Sequence, residues 1–448
     1  MRPLLETIAD SLTLDTDAVR WHGIGALPSA FAVTGLASAS FAACGLALAK
    51  LLASQLHHCP PVSVDRRLAS LWFGTSLRPL GWQPPPLWDA IAGDYQARNG
   101  WIRLHTNAPH HRAAALQVLG CPADRDSVSN RVLAWDADAL ETAIVKNGGC
   151  AARMRNWQEW CGHPQGLAVN REPLILRESH AGAPLAWQGS EARPLNGIKV
   201  LDLTRILAGP IATRLLAGFG ADVLRLDPPG WEEPAVAAEV TLGKRCARLD
   251  LRTRAGQEVF RQLLAEADVL VHGYRADALE RLGFGAQPRR QLNPGLIDVS
   301  LNAYGWSGPW RDRRGFDSLV QMSTGIAREG MRWRQMDRPV PLPVQALDHA
   351  TGYLMAAEVI RALTERLRSG EACQSRLSLA RTAKLLIERG TMEEDLPLAA
   401  ESPEDLDPVM ECTAWGEAQR IRGPLKVGEA SMAWERGASQ LGSAQAQW

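Results

Sequence analysis

The eight cysteines of this 448-residue chain are scattered and form no CxxC pair. No cysteine–histidine spacing suits a metal, so the chain reads as a reduced, cytoplasmic protein rather than a disulfide scaffold or zinc module. Excess charge of either sign is also missing: 49 basic residues balance 49 acidic ones. With no basic footprint, nucleic acid is excluded as a partner. The basic residues are nearly all arginine, which reflects coding bias. Acidic residues interrupt the opening segment, so a signal peptide is not expected. One apolar run, Pro28 to Ala53, is long enough to imitate a membrane span, but its Ala, Gly, Ser and Thr content suits a close-packed core helix. We therefore expect no membrane partner. The pairs His57-His58 and His110-His111 lack further ligands nearby, and neighbouring side chains point apart, so neither is read as a metal site.

What the sequence does have is a repeating alternation of strands and helices from Asn196 onward. Ile198–Leu203, Ala221–Leu226, 268–271 and Leu296–Leu301 read as short apolar strands. Between them lie the helices Ile211–Phe219, Arg254–Glu266 and Asp277–Leu282, and Gly220 stops the first of these. That alternation predicts a doubly wound α/β fold with a parallel sheet. Ligands of such sheets bind outside the carboxyl ends of the strands. Those ends carry Thr204–Pro210, Asp227–Gly230, 272–275 and Asn302–Pro309.

Around this core the organisation is less regular. Residues 1–190 contain a small α+β lobe at about 90–170, where Asn99-Gly100 reads as a hairpin turn before the strand Trp101–His105. Residues 391–448 read as a linker and a strap across the surface. A faint repeat links Ala32-Val33-Thr34-Gly35 to His349-Ala350-Thr351-Gly352, each opening an Ala-rich helix. A second match links Val62–Ser70 to Arg376–Thr382.

One carboxylate stands out. Asp317, in Gly315-Phe316-Asp317-Ser318-Leu319-Val320-Gln321, follows a Gly/Pro-rich turn and opens a helix among apolar residues. Alone, such an aspartate reads as a helix N-cap. A carboxylate needs no general base to act as a nucleophile near neutral pH, which gives the position a second reading.

The stretch from Leu195 to Thr204, with Leu207-Ala208-Gly209-Pro210 and Gly220-Ala221-Asp222-Val223, resembles the opening of a class III CoA-transferase. The resemblance continues through Gly243-Lys244-Arg245, Leu249-Asp250-Leu251, 267–271, Leu279–Gly283, Leu292-Asn293-Pro294, Gly305–Pro309 and the Asp317 motif. It implies a Rossmann-like core at 191–390 and transfer of CoA between an acyl-CoA thioester and a carboxylic acid. Asp317 would be the nucleophile that forms an anhydride and then an aspartyl-CoA thioester. Gln321 would orient it, and Gly305 and Gly308 would supply oxyanion donors. The resemblance also implies CoA contacts at Leu207, Ala208, Leu249, Asp250, Leu251, Arg252, Gly273, Tyr274, Arg275 and Arg281. No cofactor is expected to stay bound, CoA thioesters being substrates.

The unusual order, a later-core fragment and small domain before the core, reads as a fused, partly degenerate tandem. A homodimer is expected, with an intrachain pseudo-dimer as the alternative. Two other readings stay open: an α-methylacyl-CoA racemase, for which His272 is the available histidine, and a non-catalytic CoA-binding subunit.

Overall fold

In this computed structural model the structure describes residues 2–17, 19–56, 58–274, 277–390 and 396–448. Its centre is a seven-stranded sheet. We number the strands β1 (Leu176–Ala181), β2 (Lys199–Leu203), β3 (Asp222–Asp227), β4 (Lys244–Arg248), β5 (Val269–His272), β6 (Ile297–Asn302) and β7 (Glu371–Ser378). Their spatial order is β4-β3-β2-β5-β6-β7-β1. Every neighbouring pair is parallel except β7 and β1, which run antiparallel. The order reverses between β2 and β5, and that reversal is where a doubly wound sheet opens a ligand crevice.

Successive residues of a strand face opposite sides, and here they feed two cores. Val200, Val223, Val269 and Val299 join one cluster, with helices α2 (Ala208–Gly218) and α5 (Ala346–Ser369). Leu201, Leu224 and Leu270 join the other, with Phe260, Leu263 and Leu264 of helix α3 (Arg254–Glu266). Strands covered on both faces carry continuous apolar runs, as β5 does with all four residues buried.

The apolar run near the start forms helix α1 (Val33–Leu56). It is long and apolar enough to cross a membrane, yet 89% of its apolar window is buried within the fold. A helix apolar all round needs cover on every side, and α5 supplies much of it. The Phe41 and Tyr353 rings lie 4.1 Å apart, and Cys44 Sγ donates to the Tyr353 carbonyl. The two Ala-rich helices that carry the sequence repeat therefore pack against each other. Each is followed by a strand and a helix: Val62–Asp65 and Arg66–Trp72 after α1, β7 and Leu379–Arg389 after α5.

Small residues set the spacing on the other side of α5. A Cβ on Gly352 would sit 2.2 Å from the Ala208 carbonyl oxygen, so α5 and α2 touch through backbone. Gly352→Ala is expected to destabilise the fold by about 2–3 kcal/mol, because two helices must separate to admit one methyl. Denaturant unfolding measures this loss.

The tail does more than strap the surface. Leu425–Val427 pairs with Val62–Asp65, which pairs in parallel with Val19–His22. Gly416–Arg420 pairs with Leu77–Pro79, and Leu425, Val427 and Ala418 are buried. The tail thus completes small sheets begun by the N-terminal segment. Sequence periodicity did not show this, because strands of three to five residues hold too little alternation.

Candidate active site

Helix α4 (Asp317–Ser323) begins at Asp317, whose side chain is completely buried. Gln321, one turn along, donates from Nε2 to Oδ1. Oδ2 accepts the backbone N–H groups of Leu347 at 2.8 Å and Asp348 at 3.0 Å. Those N–H groups belong to the first turn of α5, where donors have no partner within the helix. The N-cap residue Gln345 makes no side-chain capping bond, so Asp317 caps a 24-residue helix from a different element. Gln321 is fixed in turn, since its Oε1 accepts Leu342 N–H at 2.7 Å. Burial pushes the Asp317 carboxyl up to about 6, against the Asp348, Gln321 and Leu347 donors that favour its ionised form.

Asp348 is the residue that sequence reading missed. It stands in the first turn of α5 at 9% exposure. Among the described residues its carboxylate has no hydrogen-bond or ion-pair partner. Burial raises its pKa well above the ordinary carboxylate range, and the neighbouring Asp317 charge adds to the rise. Gly352 lies four residues on, on the same helix face, and touches Ala208 at the start of α2. Asp348 thus shares the face of α5 that packs on the start of α2, the helix that follows β2. A signal was present in the repeat: aligning Thr34-Gly35 with Thr351-Gly352 sets Phe31 against Asp348, so only the second copy keeps an acid.

The small lobe reaches this site. Its strands Gly93–Ala97, Gly100–Leu104 and Ala151–Arg153 form a sheet. Trp101, Ala152 and Met154 pack on Phe316, Leu319 and Met322 around α4. The His105 ring stacks on Phe316 at 3.7 Å, and burial lowers its pKa to about 3, leaving it neutral.

The expected CoA contacts gather at the carboxyl ends of the strands. Leu207 and Ala208 open α2, which lacks a side-chain cap. Leu249–Arg252 follow β4, while Gly273 and Tyr274 follow β5. Arg275 lies outside the described residues. Arg281 is exposed and pairs with Asp277 at 3.2 Å, and Arg252 likewise pairs with Asp250 at 2.8 Å. Arg205 joins this rim unannounced: its guanidinium lies 4.5 Å from the Trp231 ring centre and donates to Tyr274 Oη at 3.1 Å.

Buried charge holds the rim loop from below. Asp202 at the end of β2 accepts Lys244 Nζ at 2.9 Å and the Thr204 and Thr213 hydroxyls. Burial alone would raise the Asp202 carboxyl, but Lys244 and Arg225 hold it below its usual value. Glu233 accepts the Ile206 N–H at 2.9 Å, where the backbone turns through φ +68.

The glycine turn differs from expectation. The Gly305 N–H goes to Asn302 Oδ1, and the N–H groups of Trp306 and Ser307 go to Glu172. A Cβ on Gly308 would strike Ala168 and Gln165. Gly305 and Gly308 thus dock the turn on the lobe helix Pro164–Arg171, and the N–H groups of Gly305, Trp306 and Ser307 are already engaged. His272 Nε2 lies 3.2 Å from Asp298 Oδ1, and Arg289 holds the other oxygen of that carboxylate.

Comparison with known proteins fits this arrangement. Residues 195–408 match the sequence profile of CoA-transferase family III. The matched residues make up just under half of the chain. An acetyl-coenzyme A transferase of Hypoxylon pulicicidum is 29% identical over 305 residues, covering 62% of this chain and 51% of that protein. A succinate–glutarate CoA-transferase of Agrobacterium fabrum is 32% identical over 197 residues, covering 40% of this chain and 49% of that protein. The chain spans about half the length of these curated relatives. The crystal structure of Rv3272 from Mycobacterium tuberculosis covers 44% of this chain and 58% of that chain, at 30% identity and a TM-score of 0.38. Six of the seven strands, the crevice at β2 and β5 and the Asp317–Asp348 pair lie within residues 195–408, and β1 lies just before them.

Proposed function

We propose that this chain is a family III CoA-transferase whose chemistry runs on the Asp317–Asp348 pair, with Asp348 as the attacking group. One observation carries the reading: of two adjoining buried carboxylates, one has both oxygens engaged and the other has none. A carboxylate filled with hydrogen bonds is a poor nucleophile, because attack must break them. Asp317, the nucleophile expected from sequence, becomes the positioning residue that fixes α5 and so aims Asp348.

The proposed cycle balances without outside reagents. An Asp348 oxygen attacks the acyl-CoA carbonyl, the C–S bond breaks, and a mixed anhydride forms as CoA leaves as thiolate. The thiolate then attacks the aspartyl carbonyl, giving an aspartyl-CoA thioester and the free donor acid. An acceptor carboxylate attacks that thioester, expelling the thiolate and forming a second mixed anhydride; the thiolate then attacks the acceptor's carbonyl, which releases the new acyl-CoA and the free Asp348 carboxylate. Dividing one exchange into such steps is the gain of covalent catalysis. The uncapped first turn of α2, at Ala208 and Gly209, is an anion-binding end suited to the CoA phosphates.

The lobe that covers α4 comes from the same chain, and the two repeat helices pack together. Both support an intrachain pseudo-dimer built from a fused tandem. Eight unpaired cysteines suit a reducing, cytoplasmic compartment.

Exposure to an acyl-CoA without acceptor is the test. The proposal expects the protein to retain CoA covalently, seen by intact mass and released by hydroxylamine. Recovery of unmodified protein with every acyl-CoA, alongside measurable CoA binding, would favour a non-catalytic CoA-binding subunit instead.

A further inference from the structure

A hollow of about 590 Å³ lies between the small lobe and the segment that follows Arg334. Arg103 and Arg125 line it from the lobe, Arg334 and Arg338 from the opposite wall. Among the described residues the one acid lining it is Asp94, which Arg103 Nη1 already holds at 2.8 Å. Four guanidinium groups against one carboxylate leave an excess of three positive charges. Among the described residues, Arg338 has no hydrogen-bond or ion-pair partner. Arg334 only stacks on Trp333, 4.7 Å from the ring centre, and the Arg103 Nε–H is buried with no acceptor. Gly93 leaves room for the Arg125 guanidinium, since a Cβ there would come within 2.9 Å of Nη1. Like charges gathered around one hollow repel one another, and a bound anion relieves that repulsion.

None of the expected CoA contacts lines this hollow, and neither Asp317 nor Asp348 does. Its walls nevertheless belong to elements that hold Asp317. Val340 and Pro341 line it, and the next residue, Leu342, donates to Gln321, which donates to Asp317. Trp101 lines it and also packs in the cluster that holds Phe316 and Leu319. An occupant of the hollow is thus separate from the reacting groups but rests against their supports.

We infer that this hollow is an effector site for a diphosphate group, free or carried on a nucleoside, which bridges Arg103 of the lobe and Arg338 of the facing segment. Arginine suits the task because its planar fork binds phosphate oxygens in pairs. The charge decides between anions. A carboxylate brings one negative charge and a single phosphate about 1.5 to 2, so a diphosphate comes nearest to the excess of three. Trp101 and Met336 line the same hollow and offer an apolar side to an organic remainder. The ligand is neither the acyl-CoA nor its acceptor, and the site does not depend on the transferase reading. By drawing Arg338 toward the lobe, the bound diphosphate firms the wall that leads to Leu342 and Gln321.

Calorimetric titration with pyrophosphate, ADP and CoA tests this at pH 7, on the wild type and on Arg338→Gln. Arg338 is exposed and free of intramolecular partners, so its replacement leaves the fold intact, and an unchanged melting temperature without ligand verifies that. Pyrophosphate is expected to bind with a Kd below about 1 mM and to raise the melting temperature of the wild type. Arg338→Gln should weaken that binding roughly tenfold or more, the size of a lost charge-assisted hydrogen bond, and leave the Kd of CoA within about twofold. ADP binding more tightly than pyrophosphate would assign the organic remainder to Trp101 and Met336. Equal or weaker ADP binding would make inorganic diphosphate the ligand, and either result supports the site. No measurable binding of pyrophosphate, or a Kd that Arg338→Gln leaves unmoved, would overturn the assignment. Displacement of pyrophosphate by CoA would overturn it too, since the hollow would then belong to the CoA site. These titrations need no turnover, so a protein without transferase activity sinks only the earlier proposal.

Discussion

Asp348→Asn is expected to abolish CoA transfer, by at least about a thousandfold in kcat, while making the protein more stable. An amide keeps the shape of the side chain but cannot attack a thioester as a carboxylate does. The stability gain follows from the pair. Unfolded aspartates ionise near pH 4. In the fold, burial holds the Asp317 proton to about 6, and burial together with the Asp317 charge raises Asp348 as well. Between those limits the unfolded chain sheds a proton that the native state keeps. Native stability therefore falls as pH rises from about 4 through 6, the reverse of an ordinary salt-bridged aspartate. Removing the Asp348 carboxylate removes its share of that loss. The variant and the wild type should match below pH 4, and the variant should be about 1–3 kcal/mol more stable at pH 7. Urea unfolding across this range, with a transfer assay on the same samples, checks both halves. A variant that is inactive and less stable at pH 7 would mean that Asp348 supports the fold rather than the chemistry.

Asp317→Asn should do the opposite to stability. The native carboxylate accepts at both oxygens, from Gln321 on one side and from Leu347 and Asp348 on the other. Asparagine has one acceptor, so whichever way the amide turns, its NH₂ faces a donor. Two N–H groups at the start of a buried 24-residue helix, or the Gln321 amide, then lose their partner. Each buried donor left unsatisfied costs about 1–3 kcal/mol, and we expect a loss of about 2–4 kcal/mol in all. Activity should drop without vanishing, by about ten- to a hundredfold, as the first turn of α5 loosens and Asp348 loses its aim. The variant also removes the negative neighbour that raises the Asp348 carboxyl, so the acid limb of the pH–rate profile should move to lower pH. A purely structural Asp317 would lower kcat without moving that limb. Stopped assays from pH 4.5 to 8 distinguish the two.

Much of the central sheet was legible because its strands are short runs of Val, Leu and Ile separated by glycine and proline turns. The helix Arg254–Glu266 was read to its exact ends. Three of the seven strands were not read from their apolar pattern, and two of them show why. Lys244–Arg248 mixes charged and small residues, and it sits at the sheet edge, where its outer side meets only a bridge from Ala247 to Ala444. Leu176–Ala181 is polar and mostly exposed, so nothing in its sequence marks it as a strand until β7 pairs with it.

At the site, the Asp317 motif was visible but the donors that fill its carboxylate were not. Whether a carboxylate attacks or caps depends on who donates to it, and its donors here lie 30 and 31 residues further along the chain. Asp348 was overlooked for the same reason, since an aspartate in a first helical turn is ordinary until its neighbours are known. The glycines of the Gly305–Pro309 turn look like oxyanion donors in sequence. Only the fold reveals Glu172 and Asn302 holding that turn.

The claim that Asp348 attacks is tested most directly by trapping. The protein would be exposed to an acyl-CoA without acceptor, reduced with borohydride, digested and mapped by mass spectrometry. Reduction converts an acylated aspartate to homoserine. The account predicts homoserine at 348 with residue 317 unchanged. Homoserine at 317 with residue 348 intact would contradict it, making the buried cap the nucleophile and Asp348 its companion.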